Sequence, residues 1–446
     1  MTVAEKIADF VLETEYDSIP TNIKELAKRS LVDYVGVTFI GASTRESEIL
    51  MDYIGTHAQK DECSIIGRSG YYSIEDAALV NGYFAHILDY DDAGMVGHPS
   101  AVLMSTCFTT GEVAAISGTE LMTAYIIGYE VSLKLADALM PELTGRGWHG
   151  TPVFGCIGAA SVAGRILKLS KEQLVNAIGI AATMASGLME NFGTTTKPFH
   201  AGMAASNGIK AVKLAQAGLI ASPTALEGTC GYGNLFAQIQ LTPEDLTLGT
   251  DWRLYDEDLL LKKYPCCSAA HASLNALEDI RDEEGIVWED IDKIDVGVTK
   301  FTLINLIHPN PQSPIEARFS MQYAIATTLV IGKFNVKCFK GEILRDERVR
   351  SMIQRIRMYE AEEFADDPYA DNEPGIVDIY MKDGRHFRKR VDFARGTTIN
   401  PISDDELYEK FYDCVGGKNG KTEKQLKNLL QIERIPDIRF FMGTIM

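Results

Sequence analysis

Several features that mark whole classes of protein are missing from this chain. No apolar run approaches the ~18 residues of a membrane-spanning helix, so no span is expected within the 446 residues. The opening Met-Thr-Val-Ala-Glu-Lys lacks the charged-then-apolar layout of a secretion signal, and a soluble cytoplasmic protein is the expectation. Basic residues are scarce: 43 Lys and Arg against 62 Asp and Glu leave a formal charge of −19. Such a field repels nucleic acid and anionic membranes, and neither is an expected partner. The eight cysteines contain no C-x-x-C pair, and H-E-x-x-H and EF-hand patterns are absent. Buried free thiols therefore fit better than a disulfide frame or a zinc site, and no metal is expected. Internal repeats and low-complexity linkers are lacking too. What remains, 46% hydrophobic and 24% charged, has the composition of a globular protein long enough for two domains.

Apolar residues recur at helical spacing over 3–16, 21–40, 46–58, 74–88, 99–116, 119–139, 152–168, 171–187 and 200–217. These segments are rich in Ala, Gly, Ser and Ile, which lets helices pack closely. The stretch from Val153 to Ala163 is too poor in bulky residues for a peripheral helix and belongs at a bundle centre. After Pro265 the texture changes. A helix over Cys267–Asp282 precedes an alternating strand at Ile291–Thr299, and a helix is expected over Glu316–Ile331 with a shorter one near Arg345–Ile356. A strand at Ile356–Glu362 and a hairpin, Gly375–Met381 with His386–Phe393 through Asp383-Gly384, complete an α+β module. From Ser403 the pattern is helical again. The expected architecture is mainly α: a large discontinuous all-helical domain from residues 1–265 and 400–446, and a smaller α+β domain over 266–399.

One stretch conflicts with its local setting. Asp89, Asp91 and Asp92 leave the end of the helix that Ser73 caps, where the helix dipole disfavours acids and stability alone would place Lys or Arg. His98 follows between Gly97 and Pro99, so carboxylates and a group that titrates near neutrality share one loop. The plainer reading is a solvated acidic loop and a histidine leading into a helix. His149, between Trp148 and Gly150 before the small-residue helix, is placed to meet an anion or is a surface turn. Thr194, Thr195, Thr196 and Lys197 precede another helix start and form a candidate carboxylate cradle, with His200 just inside it. Lys262 and Lys263 stand at the domain junction, and Arg318 and Tyr323 lie on the Glu316 helix. Gly145 to Gly150 spells G-x-G-x-x-G, yet a helix rather than a strand precedes it. The near P-loop Gly416–Thr422 has Val415 in place of its first Gly, so neither is read as a nucleotide site.

In order along the chain, His86-Ile-Leu-Asp89-Tyr-Asp91-Asp92, Gly97-His98-Pro99-Ser100, Gly147-Trp-His149, Gly187-Leu-Met-Glu190, Lys197-Pro-Phe-His-Ala-Gly202, Leu226-Glu227-Gly228, Lys263-Tyr-Pro265-Cys266 and Glu316-Ala-Arg-Phe-Ser-Met-Gln-Tyr323 resemble the MmgE/PrpD family. That family includes 2-methylcitrate dehydratase, cis-aconitate decarboxylase and iminodisuccinate epimerase. The resemblance implies a helical domain with an α+β lid, a homodimer, no metal or organic cofactor, and a cleft lined by Asp89, His98, His149, Lys197 and Tyr323 as catalytic candidates. Asp92, Thr196, Lys263 and Arg318 are the candidates for holding the substrate. The implied chemistry is proton transfer at a carbon next to a carboxylate, with His98 or His149 as acid or base. Two departures stand out: Ala93 where decarboxylase-like members carry Thr, and Ala101-Val102 where the dehydratases tend to have Asp-Asn. The expected activity is a dehydratase-type lyase for a small hydroxy-polycarboxylate, with decarboxylation, epimerisation and a catalytically silent binding protein as alternatives.

Overall fold

The computed structural model describes residues 1–55, 63–94, 96–255, 259–367, 370 and 372–445; Met95 and the end of the expected 46–58 helix lie outside them. Helix starts follow local chemistry. Thr2 with Glu5, Ser170 with Gln173 and Ser403 with Glu406 form reciprocal capping boxes, and Ser73 and Ser117 accept backbone N–H groups of the first turn. The helix Gly150–Ile166 is buried along almost its whole length and packs among Pro99–Ala114, Gly118–Leu139 and Thr196–Gln216. Its small residues permit that position, because they let surrounding backbones approach.

Two cores result. The larger draws buried side chains from Val3 to Leu261 and again from Ile402 to Ile445, so the terminal helices Asp404–Cys414 and Gly420–Leu430 pack on the first half of the chain. The smaller runs from Tyr264 to Met381. There a four-stranded sheet has the order Ile356–Glu360, Ile291–Val298, Gly375–Met381, His386–Val391; the first pair is parallel and the others antiparallel. Between the cores, Ala93 exchanges backbone hydrogen bonds with Leu260, and these two pack with Ala272 and Ala394.

The single helix expected over Glu316–Ile331 is two, Pro314–Ala317 and Met321–Ile331. Ser320 caps the second by accepting the Tyr323 N–H, and the break frees Arg318 to reach across the junction. The two nucleotide-like motifs are turns. Arg146–His149 follows the short helix Glu142–Gly145, and Gly416 and Gly417, both with positive φ, join the terminal helices. All eight cysteines are free, and only Cys230 is exposed. Among the described residues no helix is long and apolar enough to cross a membrane.

Candidate active site

The helix Ile74–His86 ends one turn before the acidic stretch. The Asp89 N–H donates to the His86 carbonyl at 3.0 Å, and Asp89 takes a left-handed backbone with φ of 51°, which aspartate tolerates better than most residues. This turn carries the Asp89 carboxylate inward rather than to solvent. Its Oδ1 accepts from Lys197 Nζ at 2.7 Å, and its Oδ2 lies 3.2 Å from Lys262 Nζ, which also donates to the Asp89 carbonyl at 3.1 Å. Burial alone would raise the Asp89 carboxyl, but Lys197 and Lys262 outweigh it and hold it well below the usual range. Lys197 itself sits between the Phe192 and Phe319 rings, 5.2 and 5.3 Å from their centroids.

Asp91 joins two histidines. Its Oδ1 lies 3.0 Å from His86 Nδ1 and its Oδ2 3.3 Å from His98 Nδ1, while the two rings are 3.8 Å apart. His98 Nδ1 is also 3.0 Å from the Asp92 carbonyl, an oxygen that can only accept, so this nitrogen carries the hydrogen. His98 Nε2 then faces Lys197 Nζ at 3.4 Å. Burial and the neighbouring His86 push the His98 ring down to about 3, so it is neutral at physiological pH. Burial opposes ionisation of Asp91, but its two histidine contacts keep it ionised.

His149 caps the start of the central helix and pairs through Nδ1 with His200 Nδ1 at 3.0 Å. Burial, then Lys197 and His200, drive His149 well below its ordinary value; burial takes His200 down to about 4. On the lid side, Arg318 donates to the Ile87 carbonyl at 2.9 Å while its buried Nε has no hydrogen-bond partner. A small cleft lies here, lined by His86, Asp89, Thr195 and Lys197 from the helical domain and by Arg318 and Phe319 from the lid. Lys197, Lys262 and Arg318 face the two ionised carboxylates of Asp89 and Asp91, so the local charge is positive within a strongly acidic protein. The cleft can hold a carboxylate and move a proton beside it.

Five expected site residues fall together: Asp89, His98 and Lys197 in mutual contact, His149 beside His200, and Arg318 opposite. Four fall elsewhere. The Tyr323 hydroxyl donates to the Cys338 carbonyl inside the lid core, because the helix break turns this residue away from the cleft. Asp92 turns from the cleft to accept from the Ser100 N–H and hydroxyl, and burial raises its carboxyl to about 8. Thr196 is exposed, whereas Thr194 and Thr195 line the cleft. Lys263 pairs with Glu278 at 3.1 Å, and Lys262, 1% exposed, is the lysine that reaches Asp89. In an extended segment neighbouring side chains face opposite ways, and only the pairing of Leu260 with Ala93 decides which lysine points inward. His86 and Asp91 join the site beyond the residues expected from sequence; their shared signal is a histidine in the last turn of a helix followed by acids just past its end.

Ligand atoms of His86, Asp89, Asp91 and His98 lie within 4.8 Å of one another, a spacing compatible with a cation. The donor set does not fit a resident divalent ion: both Asp89 oxygens face ammonium groups, and an ion there would sit against Lys197 and Lys262.

Fold and site together define a mainly helical protein whose α+β module covers a cleft lined by buried His86, Asp89 and Lys197. Residues 5–243 match the MmgE/PrpD N-terminal domain and residues 264–433 the MmgE/PrpD C-terminal domain, and the chain belongs to that family. It is 28% identical over 431 residues to a cis-aconitate decarboxylase of Mus musculus, covering 92% of this chain and 86% of that protein. A cis-aconitate decarboxylase of Homo sapiens is 26% identical over 428 residues, 92% of this chain and 87% of that protein. A 2-methylcitrate dehydratase of Escherichia coli (strain K12) is 22% identical over 342 residues, 71% of this chain and 69% of that protein. These relatives are lyases.

Proposed function

We propose that this protein is a lyase for a small polycarboxylate, working without a cofactor by proton transfer at a carbon next to a carboxylate. The observation that carries the reading is the buried cluster in which Asp89 lies between Lys197 and Lys262, with His86 on the same cleft and His98 beside Lys197. Lys197 and Arg318 anchor a substrate carboxylate, and their charge stabilises the enolate-like intermediate as the neighbouring carbon loses or gains a proton. The histidines of the site supply the proton-transfer group, and burial holds His98 and His149 neutral.

Decarboxylation of a cis-aconitate-like acid is the first reaction to test. Relatives of that name span 92% of the chain, and the departure at Ala93 falls in the apolar contact with Leu260, Ala272 and Ala394 rather than on the cleft lining. Dehydration of a hydroxy-polycarboxylate is the second, supported by the similarity to 2-methylcitrate dehydratase. The family resemblance supports a homodimer.

Proton NMR of the protein with cis-aconitate, citrate, 2-methylcitrate and iminodisuccinate in D2O tests the reading. Loss of CO2 with one deuterium gained, a new olefinic signal, or exchange without net change separates decarboxylation, dehydration and epimerisation. Thermal stabilisation by these acids with neither product nor deuterium would replace the lyase with a binding protein.

A further inference from the structure

Besides Arg318 Nε, the cleft wall holds a histidine nitrogen without a partner. His86 is 1% exposed and lines the cleft, yet among the described residues its Nε2 has no hydrogen-bond partner. A buried polar atom normally has one, so an unpaired nitrogen on a cleft wall calls for a ligand. Its chemistry follows from the other side of the ring. Nδ1 lies 3.0 Å from an oxygen of Asp91, an ionised carboxylate that can only accept, so Nδ1 carries a hydrogen, and the tautomer this contact selects has its lone pair at Nε2. The three other histidines of the site are differently placed: His98 Nε2 faces the Lys197 ammonium at 3.4 Å, His149 and His200 engage each other through Nδ1, and among the described residues none of the three lines the cleft.

We propose that His86 Nε2 is the atom that exchanges a proton with the substrate carbon, with Asp91 as the positioning residue that holds the ring and meets its charge. In the deprotonating direction the C–H bond breaks, the proton passes to Nε2, and the electron pair stays on the substrate, delocalised into the carboxylate held by Lys197 and Arg318. In a decarboxylation the C–C bond breaks and CO2 leaves without the electron pair. In this direction the ring first takes a proton from water at Nε2, and the carbon then receives that proton, which returns the ring to its starting form. The same arrangement makes His98 a support for Lys197 rather than the base. This assignment rests on the lyase reading above and names the group that would perform its central step.

The test uses the full chain with cis-aconitate and 2-methylcitrate as probes. His86→Asn keeps an N–H near the Nδ1 position for Asp91 and removes Nε2; His86→Gln places near Nε2 an amide that cannot take a proton. The expected result is wild-type turnover with deuterium incorporated from D2O, and a loss of roughly 10²- to 10⁴-fold in kcat for both variants with little change in KM. Thermal stabilisation by tricarballylate, a saturated tricarboxylate, is expected to persist in both. A variant that turns over and exchanges deuterium near the wild-type rate overturns the assignment and leaves the lyase reading standing. Wild-type protein that yields neither product nor deuterium overturns both. Ring 15N shifts of the wild-type histidines test the assignment even if neither variant folds: a bare Nε2 that responds to tricarballylate supports it, and a neutral His86 protonated at Nε2 overturns it.

Discussion

Asp92 stands next to Asp91 in sequence yet has the opposite charge state. Burial raises its carboxyl to about 8 from an ordinary 3.8, so the folded protein holds a proton that the unfolded chain releases between those values, and the contribution to stability falls as pH rises through that window. Asp92→Asn preserves the contacts to Ser100 and removes the titration. Its denaturation free energy relative to wild type is expected to improve with rising pH by up to about 1.4 kcal/mol per unit between pH 5 and 7. His271 works in the other sense. Burial depresses its ring to about 3 from 6.5, so the unfolded chain takes up the proton first and stability is lost as pH falls from 6.5 toward 3. The deficit of His271→Leu against wild type is therefore expected to shrink on acidification across that range, measured by urea unfolding. In the cleft, Lys197→Ala removes one ammonium from Asp89 and the anchor for substrate. A fall in kcat/KM of about 10²-fold or more, with weaker thermal stabilisation by polycarboxylates, is expected.

Two helices fix the distance between the Asp89 and Lys197 ends of the site. Ile74–His86 and Thr196–Gln216 cross where Gly82 meets Gly202; a Cβ on Gly202 would fall 2.0 Å from the Leu79 carbonyl oxygen, and one on Gly82 would fall 2.7 Å from the Gly202 Cα. Both obstacles are backbone, so the helices must separate to admit a side chain. Gly202→Ala is expected to destabilise the protein by about 1–3 kcal/mol and to lower kcat by pulling Lys197 from Asp89, whereas an exposed substitution on the same helix leaves both unchanged. Parallel measurements of unfolding and turnover decide it. The lid contributes through the helix break at Arg318–Ser320, where a continuous helix would have kept Arg318 from the Ile87 carbonyl.

Across the whole molecule, the terminal helix Asp404–Cys414 ties the site together from outside. Buried Lys410 pairs with Asp33 and donates to the carbonyls of Tyr90 at 2.7 Å and Lys262 at 2.8 Å, one on each strand of chain that supplies the Asp89 cluster. Lys410→Met leaves the Asp33 carboxyl buried without its cation, at a cost of about 3–5 kcal/mol, and Asp33→Asn in the same chain should restore part of it. Equilibrium unfolding of the two single variants and the double variant checks this. The lost ties are also expected to lower turnover, although Lys410 lies outside the cleft lining.

Much of this was legible in sequence because it depends on near neighbours. Helix starts follow from Ser and Thr caps, the strands from alternation, and the small-residue helix from having too little bulk for a boundary. The acidic turn was visible as a conflict with the helix dipole, and the ordered motifs carried the family. Tertiary structure decided whatever required knowing what lies opposite. The pairing of Leu260 with Ala93 turned Lys262 inward rather than Lys263, the cap at Ser320 split a continuous pattern and sent Tyr323 into the lid core, and the left-handed turn at Asp89 set Asp91 between two histidines. Local propensity reports a residue's own backbone; the side-chain direction and proton position that make a site are set by contacts between segments far apart in the chain.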